Sequence, residues 1–257
     1  MVRFLLITFA SYGLTMIKAL KAAFVHTLAT AVLASIFLAE IARASVPGTK
    51  FDQPSRLYGP EIYFDVYRNG EKAGYHRVSF DDAGAGLLVD ATFVLEIDVL
   101  FFTAYRYHYR SRSEWRDGEL SRLRVSVDDD GEISHLEAER NGDAVRVFNG
   151  SDRYEAPAPI LPTDHWNPAV LSDTRVLNTL TGLINEVRIE KRGRTQVATE
   201  TGPVLATHYA YTGDLDTEVW YDDRGRWVKM RFKGTDGSTI DYRCRRCQGG
   251  EMPKVIQ

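Results

Sequence analysis

Only two of the 257 residues are cysteine, Cys244 and Cys247, and they are separated by Arg245 and Arg246 alone. A disulfide-stapled miniature scaffold is therefore excluded, and the fold must be held by its own core. Proline, glycine and serine never gather into a linker that would divide the chain. No Gly-x-Ser-x-Gly turn is present, so the usual exposed serine elbow of a hydrolase is missing. Excess positive charge is missing as well: the net charge is −3. Four basic residues, Arg3, Lys18, Lys21 and Arg43, against Glu40 alone, lie before Ser45, so the remainder is more acidic than the whole. That balance argues against nucleic acid or a generally anionic membrane surface as partner.

What is present begins with an address. Lys18 and Lys21 form a basic region, Ala22 to Ala39 is an uncharged apolar run, and Ala42-Arg43-Ala44 supplies small residues at the positions of a signal-peptidase cut. Residues 1–44 read as a signal peptide with Ser45 as the mature N-terminus. The competing reading is an uncleaved anchor, since the run approaches the roughly 20 residues that span a bilayer. The A-x-A site favours cleavage, and with no cysteine near it lipid attachment there is excluded. The expectation is a soluble, exported, periplasmic protein. It would comprise an N-terminal extension at 45–59, one β-rich domain at 60–247 and a tail at 248–257.

Turn signals recur at short intervals, among them Asn69-Gly70, Asp117-Gly118, Asp130-Gly131, Asn141-Gly142 and Asp236-Gly237. Between them apolar and polar residues alternate. From Leu87 to Phe101 every odd position is apolar, which puts Phe93 and Leu95 on one face and Asp90, Glu96 and Asp98 on the other. About ten strands are expected on this pattern. A mainly β fold follows, a large curled antiparallel meander forming a half-barrel or barrel, because flat sheets of that size leave vulnerable edges. Asn167 and Pro168 can start a helix that Gly182 ends, with Trp166, Val170, Leu177, Leu180 and Ile184 at helical spacing. One amphipathic helix packed on the concave face of the sheet is expected there, as a plug or lid.

Four segments carry a family resemblance. They are Phe64-Asp65-Val66-Tyr67-Arg68-Asn69-Gly70-Glu71-Lys72-Ala73-Gly74, Pro162-Thr163-Asp164-His165-Trp166-Asn167-Pro168, Leu177-Asn178-Thr179-Leu180-Thr181-Gly182 and Val219-Trp220-Tyr221-Asp222. Together they resemble an uncharacterised family of secreted proteobacterial proteins, a domain of unknown function, over nearly all of the mature chain. That family brings no catalytic motif. More remotely, a curled sheet around a helix is similar to the periplasmic lipoprotein-carrier folds, whose hollow holds acyl chains, an analogy of architecture.

Several clusters have chemical potential. Tyr105, Tyr107 and Tyr109 share one face of a strand, and Arg106, His108, Arg110 and Arg112 share the other. The basic row could hold an anion, but Asp90, Glu96 and Asp98 on the preceding strand are better read as its cross-strand partners. The apolar hairpin tip Val99-Leu100-Phe101-Phe102 could dock, or close a barrel mouth. Asp164, His165 and Trp166 offer an acid, an imidazole and an aromatic where two elements meet. A structural histidine at the helix entry is the plainer reading of them. The Cys244-x-x-Cys247 spacing follows a strand, against a thioredoxin-like site, and lacks the ligands that zinc would need, so a small disulfide-closed loop is expected. Ser126 to Glu137 imitates a calcium loop but lacks the first aspartate and sits between strands, so a plain acidic hairpin is expected.

The function these readings favour is binding or carriage of a hydrophobic ligand, lipid or fatty-acid-like, in a β-sheet cavity walled by Phe93, Leu95, Tyr107, Tyr109, His165, Trp166, Leu177 and Leu180. No cofactor, metal or nucleic acid is expected, and an envelope protein is the other partner these readings allow. The alternatives are an envelope enzyme centred on Asp164 and His165, or a structural interaction protein.

Overall fold

The computed structural model describes residues 53–82, 86–99 and 102–249. The expected leader, the tip residues Leu100 and Phe101 and the end of the tail lie outside them.

One short helix, α1 (Pro54–Tyr58), starts on the proline and precedes the strands. A first run of consecutive hairpins comprises β1 (Glu61–Arg68), β2 (Glu71–Asp81), β3 (Leu87–Val99), β4 (Phe102–Arg116), β5 (Glu119–Asp129), β6 (Glu132–Asn141), β7 (Ala144–Phe148) and β8 (Arg153–Pro157). A second group of strands comprises β9 (Leu161–Pro162), β10 (Arg175–Leu177), β11 (Ile184–Thr199), β12 (Gly202–Gly213), β13 (Thr217–Asp222), β14 (Trp227–Lys233) and β15 (Thr239–Arg246), consecutive hairpins from β10 onward. Antiparallel pairing of β1 with β15 joins the two runs into a single 15-stranded sheet. Among the described residues only β9 and β10 pair in parallel. The sequence pattern undercounts in part because β9 and β10, of two and three residues, are too short to show alternation.

Turn chemistry sets the registers. Asn69-Gly70, Asp117-Gly118 and Asp130-Gly131 all have positive φ at both residues, as two-residue hairpin turns of the I′ type require. The calcium-like segment is such a hairpin: β5 and β6 pair across it, and Asp128 Oδ1 accepts from the Gly131 amide at 2.8 Å.

Curling follows from connectivity. β8 and β9 are the two edges of the sheet, yet only residues 158–160 separate them in the chain. Four peptide steps span at most about 14 Å, so the edges must come together and the sheet must roll. The seam is closed by side chains: the Tyr154 hydroxyl donates to the Gly182 carbonyl, and Asn149 Nδ2 to the Thr181 carbonyl at 3.4 Å. At Gly74 the backbone of β3 approaches too closely for any side chain, since a Cβ there would lie 1.8 Å from the Val94 carbonyl oxygen.

The expected long helix is a correction. Asn167 does cap, its Oδ1 accepting from the Ala169 amide at 3.0 Å, but the helix is a single 3-10 turn over Pro168–Ser172. The chain then enters β10 and a turn in which Asn178 Oδ1 accepts from the amides of Leu180 and Thr181. Ser172, Asp173, Thr174, Asn178, Thr179 and Thr181 are poor helix interiors, since their side chains are β-branched or bond the nearby backbone. The segment still plugs the barrel. Trp166 is buried edge-on to Trp115 at 5.1 Å and Phe80 at 5.6 Å, and Val170 and Leu177 are buried.

Candidate functional site

The inner faces of the strands build an aromatic interior. Phe64 packs on Trp227 at 4.4 Å, Phe93 stacks on Tyr242 at 5.7 Å, and Tyr107 meets Phe93 edge-on at 5.8 Å. His76 lies within this wall, 5.3 Å from Tyr242 and 5.6 Å from Trp227. Its place follows from alternation, because Val78 and Phe80 on the same face of β2 are core residues.

Backbone carbonyls anchor the plug. The Tyr221 hydroxyl donates to the His165 carbonyl at 2.7 Å, and the Tyr58 hydroxyl donates to the Trp166 carbonyl at 3.0 Å while accepting from the Trp227 amide at 2.9 Å. These bonds bring His165 inward, its ring 5.5 Å from Tyr211 and 5.6 Å from Trp227.

Desolvation dominates the electrostatics. It lowers His165 to about 4, and lowers His76 to about 3 with a smaller contribution from His165 itself. Both imidazoles are neutral at pH 7, and the Nδ1 of each has no hydrogen-bond partner. Burial raises Asp164 to about 6, opposed by a hydrogen bond from Trp166. The interior thus holds two neutral imidazoles and a carboxyl titrating near neutrality. The hydroxyls of Thr163 and Thr179 bond each other at 3.1 Å.

Seven of the eight expected wall residues are inside. Phe93, Leu95, Tyr109, His165, Trp166 and Leu177 are buried, and Tyr107 is half-buried on the same face. Leu180 is the exception and a correction: it is 55 % exposed. Its expected place depended on a helix, and the Asn178 turn points it out. The basic row on β4 meets its expected partners, Arg112 binding Asp90 at 2.7 Å and His108 Nε2 lying 3.4 Å from Glu96. Asp98 instead accepts from Thr103 at 2.8 Å, because a register shift follows Ile97.

Two groups escaped the sequence reading. His76 could have been found from its parity with Val78 and Phe80. Glu200, in the β11–β12 turn, carried no local signal, yet its Oε1 accepts from the amides of Cys247 and Gln248 at 2.9 and 2.8 Å beside the Cys244–Cys247 disulfide. One atom each of Glu200, Cys244 and Cys247 lies within 4.8 Å of the others, so one metal-competent side chain joins the pair.

The sheet and its closure define a β-barrel-like protein. Over residues 64–245 the chain matches the model of a domain of unknown function, DUF6134, and it belongs to that family. Among solved structures it is similar to the β-barrel-like protein of the domain of unknown function DUF1849 from Brucella abortus. The TM-score is 0.53 at 11 % identity, covering 73 % of this chain and 96 % of the other, a likeness of fold. No curated protein matches.

Proposed function

We propose that this protein binds a small hydrophobic ligand, lipid or fatty-acid-like, inside the barrel, and that it does so in the periplasm after export on residues 1–44. One observation carries the reading. The barrel is filled by α1, Trp166 and Trp115 toward one end, whereas Tyr105, Tyr107, Met230 and Phe232, packed against the same core, keep part of their surface. His76 too is only half-buried, although its strand lies between β1 and β3. Apolar surface of that kind gains about 25 cal/mol per Å² when a ligand covers it, less the cost of ordering the ligand. The tyrosines and the unpartnered imidazole nitrogen would orient a carboxyl or hydroxyl head group.

A second reading, an envelope enzyme, draws on Asp164, raised to about 6 and adjacent in the chain to neutral His165, which shares the Trp227 ring with neutral His76, a protonation pattern suited to acid–base work. Native mass spectrometry of protein purified from its own envelope, with lipid extraction, separates the two. A retained, unaltered apolar molecule supports carriage, and turnover of an added ester or acyl substrate that His165→Ala abolishes supports the enzyme. If the protein retains no apolar ligand and binds no fluorescent fatty-acid probe near micromolar, about −8 kcal/mol, the carrier reading is wrong. The intact mass of the mature protein should begin at Ser45.

A further inference from the structure

We propose that Cys244 and Cys247 form a dithiol–disulfide exchange site, in which Cys244 is the sulfur that meets a partner and Glu200 sets the reactivity of the pair. The two sulfurs are not equivalent. Cys247 is fully buried, whereas Cys244, near the end of β15, is only half-buried. An incoming thiolate therefore reaches Cys244 first.

Glu200 is fixed against both. Its Oε1 is held by the amides of Cys247 and Gln248, which leaves Oε2 2.8 Å from Cys244 Sγ and 3.6 Å from Cys247 Sγ. The turn that carries it is pinned: Thr199 donates to Gln248 Oε1 at 2.7 Å, Thr201 donates to the same atom, and Gln248 Nε2 reaches Asp222 at 3.4 Å. Positive charge within the motif is already neutralised, because Arg245 pairs with Asp65 at 3.0 Å and Arg246 pairs with Glu61. Among the described residues Glu200 itself forms no ion pair, so apart from the two amides on Oε1 its charge faces the sulfurs. In the disulfide neither sulfur has a proton to offer. Reduction creates two thiols, and Oε2 accepts from them, favouring the protonated dithiol.

The exchange balances. The thiolate of a partner dithiol attacks Cys244 Sγ, the Cys244–Cys247 bond breaks, and Cys247 leaves with the electron pair and takes up a proton. The partner's second thiol then displaces Cys244 from the mixed disulfide, and Cys244 is protonated in turn. Two electrons and two protons pass to this chain, and the partner departs as a disulfide. A four-residue loop constrains little of the fold, so the barrel stays folded in both states.

The test incubates the folded protein with excess dithiothreitol, traps thiols with iodoacetamide over a range of pH, and maps the adducts while circular dichroism reports the fold. The pair should open without unfolding, and the first mixed disulfide formed with glutathione should sit on Cys244. Glu200→Gln keeps the acceptor for the two amides and removes the charge, so it should move the alkylation profile of Cys244 down by about one pH unit, roughly tenfold faster at neutral pH. The proposal is overturned if the bond opens only in denaturant, if Cys247 reacts first, or if Glu200→Gln leaves the profile unmoved. It is equally overturned if the reduced protein takes one equivalent of Zn²⁺ that then blocks re-oxidation by oxidised glutathione, since the cluster is then a metal site.

Discussion

The Tyr221 hydroxyl donates to the backbone carbonyl of His165 at 2.7 Å, across 56 positions of sequence, and holds the plug against the wall of the barrel. Removing that hydroxyl leaves a buried carbonyl without its donor. Tyr221→Phe should cost about 1–3 kcal/mol in urea-induced unfolding at unchanged m-value, with the loss seen as faster amide exchange in the plug.

Gly74 has no room for a methyl group, because its Cβ would meet backbone rather than a side-chain end. Gly74→Ala should cost about 3 kcal/mol or shift the β2–β3 pairing, whereas Gly131→Ala, with nothing near its Cβ, should cost only the strain of its positive φ. Comparing the two by thermal unfolding separates crowding from backbone strain.

Acid stability should reflect the three desolvated titrating groups His76, Asp164 and His165. His76 and His165 have folded values of about 3 and 4, well below the ordinary 6.5, so their neutral forms stabilise the fold above that value and the benefit is lost as pH falls. Asp164, raised to about 6, acts in reverse: its burial destabilises the fold above pH 6 and ceases to do so below its ordinary 3.8. Between pH 6 and 4 the unfolded chain carries two of these protons and the folded chain one, so stability should rise with pH by about 1.4 kcal/mol per unit from this trio. His76→Leu should remove that slope, and denaturant melts at three pH values would show it.

The wall of the proposed cavity can be tested at Phe93, which is buried on the inner face and stacked on Tyr242. Phe93→Trp should abolish retention of an apolar ligand while costing about 1–3 kcal/mol of stability. Leu180→Asp, at an exposed position, should leave retention unchanged, and native mass spectrometry of both variants is the measurement.

Replacing both cysteines by serine should lower stability by no more than about 2 kcal/mol, since closing so short a loop removes little entropy from the unfolded chain. Thermal unfolding of the double variant decides this, and a variant that fails to fold would contradict it.

Much of the fold was legible because its causes are local. Alternation from Leu87 onward required a face of Phe93 and Leu95, and Asn-Gly and Asp-Gly pairs required hairpins, because side-chain parity and positive φ are settled within a few residues. The segment after Asn167 was misread for the complementary reason. Apolar spacing of three and four suits a helix, but the Asn178 and Thr181 side chains bond the backbone nearby and turn the chain into a loop after β10.

What only the tertiary structure decided is which distant residues share a space. A three-residue link between the outermost strands makes the sheet roll, and rolling sets His76 against the aromatic wall that His165 also touches, 89 positions later. The same closure carries Glu200 to the amide of Cys247. No local pattern encodes such meetings, because they depend on the summed twist and register of many strands. The alternation that builds each strand is written residue by residue, whereas the chemistry between strands exists only once the barrel has closed.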